Sequence, residues 1–206
     1  MITVIWEVLF LMNKKQEIRE RLLLRRKNLS SEELNFSEKS TKSIWDRVNS
    51  KFTKTNVGFY WPYLGEVSPL LIIQELLDTG SSCFLPVVSK DPSNRNLIFK
   101  QFTFEANTYK NKFNINEPCD GVEMDCADLD VIFIPCVGLD SKGYRIGMGM
   151  GFYDTTLKEI GSNTKLIALA HDFQKIESCF PEGHDIPVHG AITSSEYLEF
   201  YFKNAE

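Results

Sequence analysis

The chain has 206 residues, 43% of them hydrophobic, and a formal net charge of −5. That length supports one sizeable core and a single domain, and scattered Lys and Arg in an acidic chain exclude a broad nucleic-acid footprint, which needs a concentrated basic face. Five widely spaced cysteines with no C-x-x-C pair (Cys83, Cys119, Cys126, Cys136, Cys179) point away from a disulfide framework or thiolate zinc site and toward a reducing cytosol. No apolar run has the length of a membrane span.

Residues 1–11 are apolar but carry Glu7 and lack both a preceding basic residue and a small-residue cleavage site. They read as a poorly ordered extension or an upstream start, outside a domain spanning 12–206, rather than as a secretion signal. From Lys14 to about Asn28, good helix formers place Ile18, Leu22 and Leu29 at helical spacing in a strongly basic helix. Ser30 and Glu33 stand at capping-box spacing and open a second helix running to about Phe52. VGFYWPY (57–63) reads as a strand stopped by Pro62 and Gly65.

Ser68 as cap, Pro69 as first helical residue and Gly80 just past the end mark a third helix. SCFLPVVS (82–89) and LIFKQF (97–102) read as strands around a turn-rich loop. LDVIFIPCVGLD (129–140) and KLIALAH (165–171) have the continuous apolar character of strands covered on both faces. A helix begins at FYDTTLKEIG (152–161), and AITSSEYLEFY (191–201) closes the chain. Strands alternating with helices predict a three-layer α/β/α sandwich with a mostly parallel central sheet, and ligands of such sheets bind beyond the carboxyl ends of the strands.

RIGMGMGFYD (145–154) lies at that edge. Alternate glycines let successive backbone N–H groups turn toward one bound group, and the start of the following helix adds partial positive charge. Polyphosphate is the natural tenant, with Arg145 as a fork of donors and Asp154 as a magnesium ligand beside the phosphates. The ordinary alternative is a tight strand-to-helix turn with no ligand. The dinucleotide fingerprint and the Walker A loop both fail on spacing and on the residues that close the run. His171, His184 and His189 show no zinc-site spacing.

The stretch IPCVGLDSKGYRIGMGMGFYD, together with the basic first helix, GEV after an aromatic strand, LPVV, FNINEP and PEGHDIPV, resembles the 5-formyltetrahydrofolate cyclo-ligase (methenyltetrahydrofolate synthetase) family, whose signature reads P-x-x-x-x-D-x-x-G-x-R-[LI]-G-x-G-x-G-[FY]-Y-D. The similarity runs over nearly the whole chain from about Asn13. It implies ATP- and Mg2+-dependent conversion of 5-formyltetrahydrofolate, with or without a polyglutamate tail, into 5,10-methenyltetrahydrofolate by a cytoplasmic monomer, with ADP and phosphate released and no nucleic-acid or membrane partner.

By position, the resemblance implies that Lys15 and Arg19 contact ATP phosphates, as do Arg145, Ile146, Gly147, Met148, Gly149, Met150, Gly151, Phe152 and Tyr153. Met148 to Phe152 also face the folate. Arg145 and Tyr153 are the implied catalytic residues, Asp154 and Asp185 the metal ligands, and Glu66 and Trp61 the pterin and folate contacts. A carboxylate suits the aminopyrimidine edge because it accepts two hydrogen bonds at once. Without the resemblance, Lys15 and Arg19 are surface charges, Glu66 a turn residue, Trp61 core and Asp185 a loop residue.

Three positions depart from the family pattern: Met150 where Lys or Gly is common, Thr155 where Arg is frequent, and His189 where Asp often stands. Two other functions stay open on this reading. One is a folate-binding protein that has lost phosphoryl transfer, and the other a nucleotide-dependent enzyme acting on another small molecule.

Overall fold

Strict alternation along the apolar strands decides the layering. The computed structural model describes residues 2–183 and 185–201, with residues 2–10 described by backbone alone, so His184 lies outside it. Five parallel strands form the centre of an eight-stranded sheet: β1 (Asn56–Gly58), β2 (Ser82–Val88), β7 (Val131–Pro135), β10 (Lys165–Leu169) and β11 (Gly190–Ile192). Antiparallel strands β3 (Leu97–Phe102), β6 (Glu123–Met124) and β12 (Tyr197–Glu199) complete it in the order β12-β11-β10-β7-β1-β2-β3-β6. Two hairpins stand apart, one of β4 (Thr108–Lys110) and β5 (Asn116–Pro118), the other of β8 (Gly138–Leu139) and β9 (Arg145–Ile146).

Val131, Phe133, Ile167 and Leu169 face one core with α2 (Ser31–Val48) and α3 (Leu70–Asp78), while Ile132, Ile134, Leu166 and Ala168 face the other. On the first face Trp45 is fully buried, edge-on to Phe133 at 5.0 Å, and Phe59 stacks on Phe133 at 4.9 Å. Each such ring contributes about 1.5–3 kcal/mol of burial. The second face is covered by the short α4 (Phe152–Thr156), by 3-10 turns at 126–128 and 157–159, and by loops, so the two outer layers are unequal.

The first helix covers neither face. Leu22 and Ile18 of α1 (Ile2–Lys27) pack on Val137, Ile146 and Cys179, which seats the helix across the carboxyl ends of the strands. The connections β1→β2 and β7→β10→β11 run to opposite sides of β1 and β7, making the β1/β7 boundary a topological switch point.

Several boundaries shift from expectation. α1 begins at Ile2, so helix continues through the segment expected to be a poorly ordered extension. The aromatic run gives only a three-residue β1, because the chain leaves the ladder after the Phe59 N–H meets Phe84 O. Pro69 occupies the cap of α3 rather than its first turn. α4 has five residues, too few to sum much dipole, so any anion site there depends on the loop backbone and side chains.

Candidate active site

Two loops meet at the switch point. The first follows β1 and turns through Leu64 and Gly65, both at positive φ (47° and 76°). A side chain at 65 is barred twice, by that backbone and because a Cβ would stand 2.7 Å from Arg26 O. His171 Nε2 donates to Gly65 O at 2.9 Å while its Nδ1 lies 2.9 Å from Ser37 Oγ, and burial lowers the pKa of the ring.

That turn delivers Glu66 to the interior. Its Oε2 accepts the Tyr63 N–H at 3.0 Å, and its Oε1 lies 3.6 Å from Arg26 Nη2. Arg26 is 1% exposed and also donates to Leu64 O at 2.8 Å and Cys136 O at 3.3 Å. Burial pushes the Glu66 pKa up to about 7, with Arg26 and the Tyr63 N–H pulling the other way. The carboxyl therefore changes charge near neutrality. Trp61 is half-buried and meets Phe102 edge-on at 6.0 Å, so it packs on the core beside this loop.

The second loop follows β7. Asp140 is buried and its Oδ1 accepts from Lys142 N and Tyr144 N, which folds the β8–β9 hairpin tightly and presents Arg145. Arg145 is itself buried and donates to Ile186 O and, at 2.7 Å, to Asp154 Oδ1. From Gly147 to Met150 the chain is exposed, with positive φ at Gly149 (85°) and Gly151 (74°). The space beside Gly147 is open to 4 Å.

The sequence-predicted residues distribute around this run. Arg19 Nε donates to Gly147 O at 2.9 Å. Lys15 pairs with Asp185 at 3.3 Å and Glu182 at 3.6 Å. Ile146 is buried in the core under α1, while Met148 and Met150 are exposed. Phe152 packs edge-on to Phe113 at 5.8 Å. The Tyr153 hydroxyl is buried with no protein partner among the described residues, and burial, then the Glu66 charge, raises its pKa far above the ordinary phenol value. It can therefore donate a hydrogen bond but not serve as a base at neutral pH.

Asp154 and Asp185 each face a cation, and among the described residues no three His, Cys, Asp or Glu side chains cluster to hold a metal. Their all-oxygen chemistry suits Mg2+, which takes one or two protein carboxylates and completes its shell with water and phosphate. Sequence reading missed Arg26 and Arg95. Arg26 stands seven residues beyond Arg19, a spacing that puts both on one helical face, whereas Arg95 donates to Met150 O at 2.6 Å from a loop that no local pattern marks.

Two open cavities, of about 500 Å3 beside Val87, Lys90 and Tyr109 and about 460 Å3 between α1 and Ile176, touch neither Glu66 nor the glycine run. The glycine run is exposed from Gly147 to Met150, whereas the Arg26 and Glu66 side chains beside it are buried.

A doubly wound sheet with an acid and a glycine-lined loop at its switch point defines an α/β protein built to hold a ligand at that edge. The 5-formyltetrahydrofolate cyclo-ligase family model matches residues 11–194, and the chain belongs to that family. It is 31% identical over 179 residues to the Haemophilus influenzae 5-formyltetrahydrofolate cyclo-ligase, covering 85% of this chain and 95% of that one. The Escherichia coli K12 protein of the same name is 32% identical over 147 residues, 70% of this chain and 80% of its own.

Among solved structures, the Aquifex aeolicus 5,10-methenyltetrahydrofolate synthetase superposes with a TM-score of 0.75 at 28% identity, over 93% of this chain and 95% of that one. The Mycoplasma pneumoniae synthetase, at 22% identity and a TM-score of 0.71, covers 86% of this chain and 97% of its own, and shares the fold. Among the described residues no helix is long and apolar enough to cross a membrane.

Proposed function

We propose that the chain closes 5-formyltetrahydrofolate to 5,10-methenyltetrahydrofolate at the expense of ATP, releasing ADP and phosphate. A formamide oxygen is a poor leaving group. Phosphorylation of that oxygen makes it a good one, and the neighbouring folate nitrogen then attacks the formyl carbon, closing the ring as phosphate departs. The protein's part is positioning and charge neutralisation.

One observation carries this reading. Arg26 reaches Glu66 at 3.6 Å and the Met148 sulfur at 3.7 Å, so a single buried guanidinium joins the acid suited to a pterin to the loop suited to a triphosphate. Glu66, ionised, accepts two hydrogen bonds from the aminopyrimidine edge. Tyr153 offers its unpaired O–H beside Glu66, and Arg145 stands behind the loop as a fixed positive charge. Arg19 and Lys15 face the phosphates from α1, and Trp61 with Met148 to Phe152 forms the apolar border of the folate.

Asp154 and Asp185 are the residues that would hold Mg2+, which when bound neutralises phosphate charge. Purified protein supplied with ATP, Mg2+ and 5-formyltetrahydrofolate should develop the near-ultraviolet absorbance of the methenyl product. A folded, ATP-binding sample that never does so rejects the activity.

A further inference from the structure

Two cations flank the glycine run without an acidic partner among the described residues. Arg19 Nε holds Gly147 O at 2.9 Å from α1, and Arg95 Nη1 holds Met150 O at 2.6 Å from the loop joining β2 to β3. A Cβ on Gly149 would stand 3.7 Å from Arg19 Cζ and one on Gly151 3.3 Å from Arg95 Nη1. Each guanidinium is thus seated against one of the two positive-φ glycines.

The other cations of the site are already compensated, Arg145 by Asp154, Lys15 by Asp185 and Glu182, and Arg26 by Glu66. Among the described residues no carboxylate pairs with Arg19 or Arg95. Met150, the residue Arg95 touches, brings no charge of its own.

The approach of Arg95 is built into the fold. Two residues on, the Leu97 N–H donates to Thr156 Oγ1 at 2.8 Å in a buried setting, which fastens the start of β3 to the end of α4. Within the loop, Asp91 Oδ1 accepts from Ser93 N and Asn94 Oδ1 from Asn96 N, both at 2.9 Å, fixing its turns. Arg95 itself is exposed, and only one of its five N–H donors is used.

We propose that Arg95 is a phosphate-binding residue. Braced by one N–H on Met150 O, it presents its remaining donors to phosphoryl oxygens of a nucleotide lying on Gly147 to Gly151, opposite Arg19. An uncompensated guanidinium on each side of a strip without side chains is an arrangement that attracts and orients a polyanion. The inference rests on the nucleotide-dependent reading above and adds a residue from outside the glycine run and α1.

The test is calorimetric titration of ATP with Mg2+ into the unaltered protein, Arg95→Gln and Arg95→Lys. Gln retains an N–H for Met150 O and removes the charge. The Gln variant should bind ATP about tenfold more weakly and lose part of the salt dependence of binding. Lys should recover part of the affinity, and the melting temperature of both variants should stay at that of the unaltered protein.

An Arg95→Gln protein that binds ATP with unchanged affinity and salt dependence overturns the proposal and makes Arg95 a brace for the loop. So does a Gln variant that loses melting temperature in step with affinity while Lys restores neither. If the unaltered protein binds no ATP, this inference and the nucleotide reading fall together, which separates that failure from the first two.

Discussion

Arg145 Nη2 donates to Asp154 Oδ1 at 2.7 Å, tying the cation that enters the glycine run to the acid that leaves it. The pair is lopsided, with the arginine side chain 5% exposed and the aspartate 41%. Asp154→Asn should therefore leave the melting temperature nearly unchanged while lowering Mg2+-dependent turnover about a hundredfold or more. Arg145→Ala should lower both, because it leaves Ile186 O without its donor and empties a buried site, a loss of about 1–3 kcal/mol in denaturant unfolding. Equal stability losses in the two variants would contradict the geometry.

Glu66 gives a pH signature whose sign is fixed. Its pKa is about 7 in the fold against an ordinary 4.5, so between those values the native state holds a proton that the unfolded chain has released. This group's contribution to stability is complete below 4.5 and is lost as pH rises through about 7. Comparing wild type with Glu66→Gln across that window should show wild type losing stability relative to the variant as pH rises, and a constant difference outside it.

Folate recognition should run the opposite way. Hydrogen bonds from an aminopyrimidine favour the ionised carboxylate, so substrate binding near pH 7 should release a proton and weaken at lower pH. Calorimetry in buffers of different ionisation enthalpy reads that proton directly, and Glu66→Gln should abolish it.

The glycines separate a ligand role from a folding role. Gly147 has open space where a Cβ would go, and its φ is not positive, so Gly147→Ala should fold with unchanged stability. If a nucleotide lies against that backbone, the same variant should lose affinity for ATP. Gly151→Ala, at φ 74°, should in addition lose about 1 kcal/mol of stability. A Gly147→Ala enzyme with normal ATP affinity would mean that nothing approaches the chain there.

Arg26 is the group whose removal should be felt furthest. Arg26→Met leaves Leu64 O without its donor and Glu66 without its cation, while Cys136 O keeps the Gln174 side-chain donor at 2.7 Å. The expected loss is about 2–4 kcal/mol, held down because Glu66 can neutralise itself by taking a proton. Arg26→Met should also raise the Glu66 pKa further, visible as an upward shift of the pH at which folate binding weakens. Adding Glu66→Gln to Arg26→Met should recover part of the lost stability.

Much of the fold was legible in the sequence because it depends on local rules. The Ser30 and Glu33 capping box forms with both hydrogen bonds, and β3 occupies the predicted span Leu97–Phe102. Strands β7 and β10 were marked by apolar residues on both faces. The hairpin of β8 and β9 that presents Arg145 was not legible, since its form depends on the Asp140 carboxylate reaching Lys142, Tyr144 and Cys179. Nor were Arg26 and Arg95, whose partners lie far along the chain and gain meaning only once the loops have met. The metal-binding roles of Asp154 and Asp185 came from resemblance alone, and the structure sets each beside a cation.

The first helix works as a ruler. At 100° per residue, Lys15, Arg19 and Arg26 fall within about 40° of one another and span about 16 Å of axis, and from that single rod they touch Asp185, Gly147 and Glu66. Three loops from distant parts of the chain are thereby gauged against one rigid part. Inserting a residue between Arg19 and Arg26 would put the two ends out of phase, leaving a protein whose sheet is sound but whose acid and glycine strip no longer share a common scale.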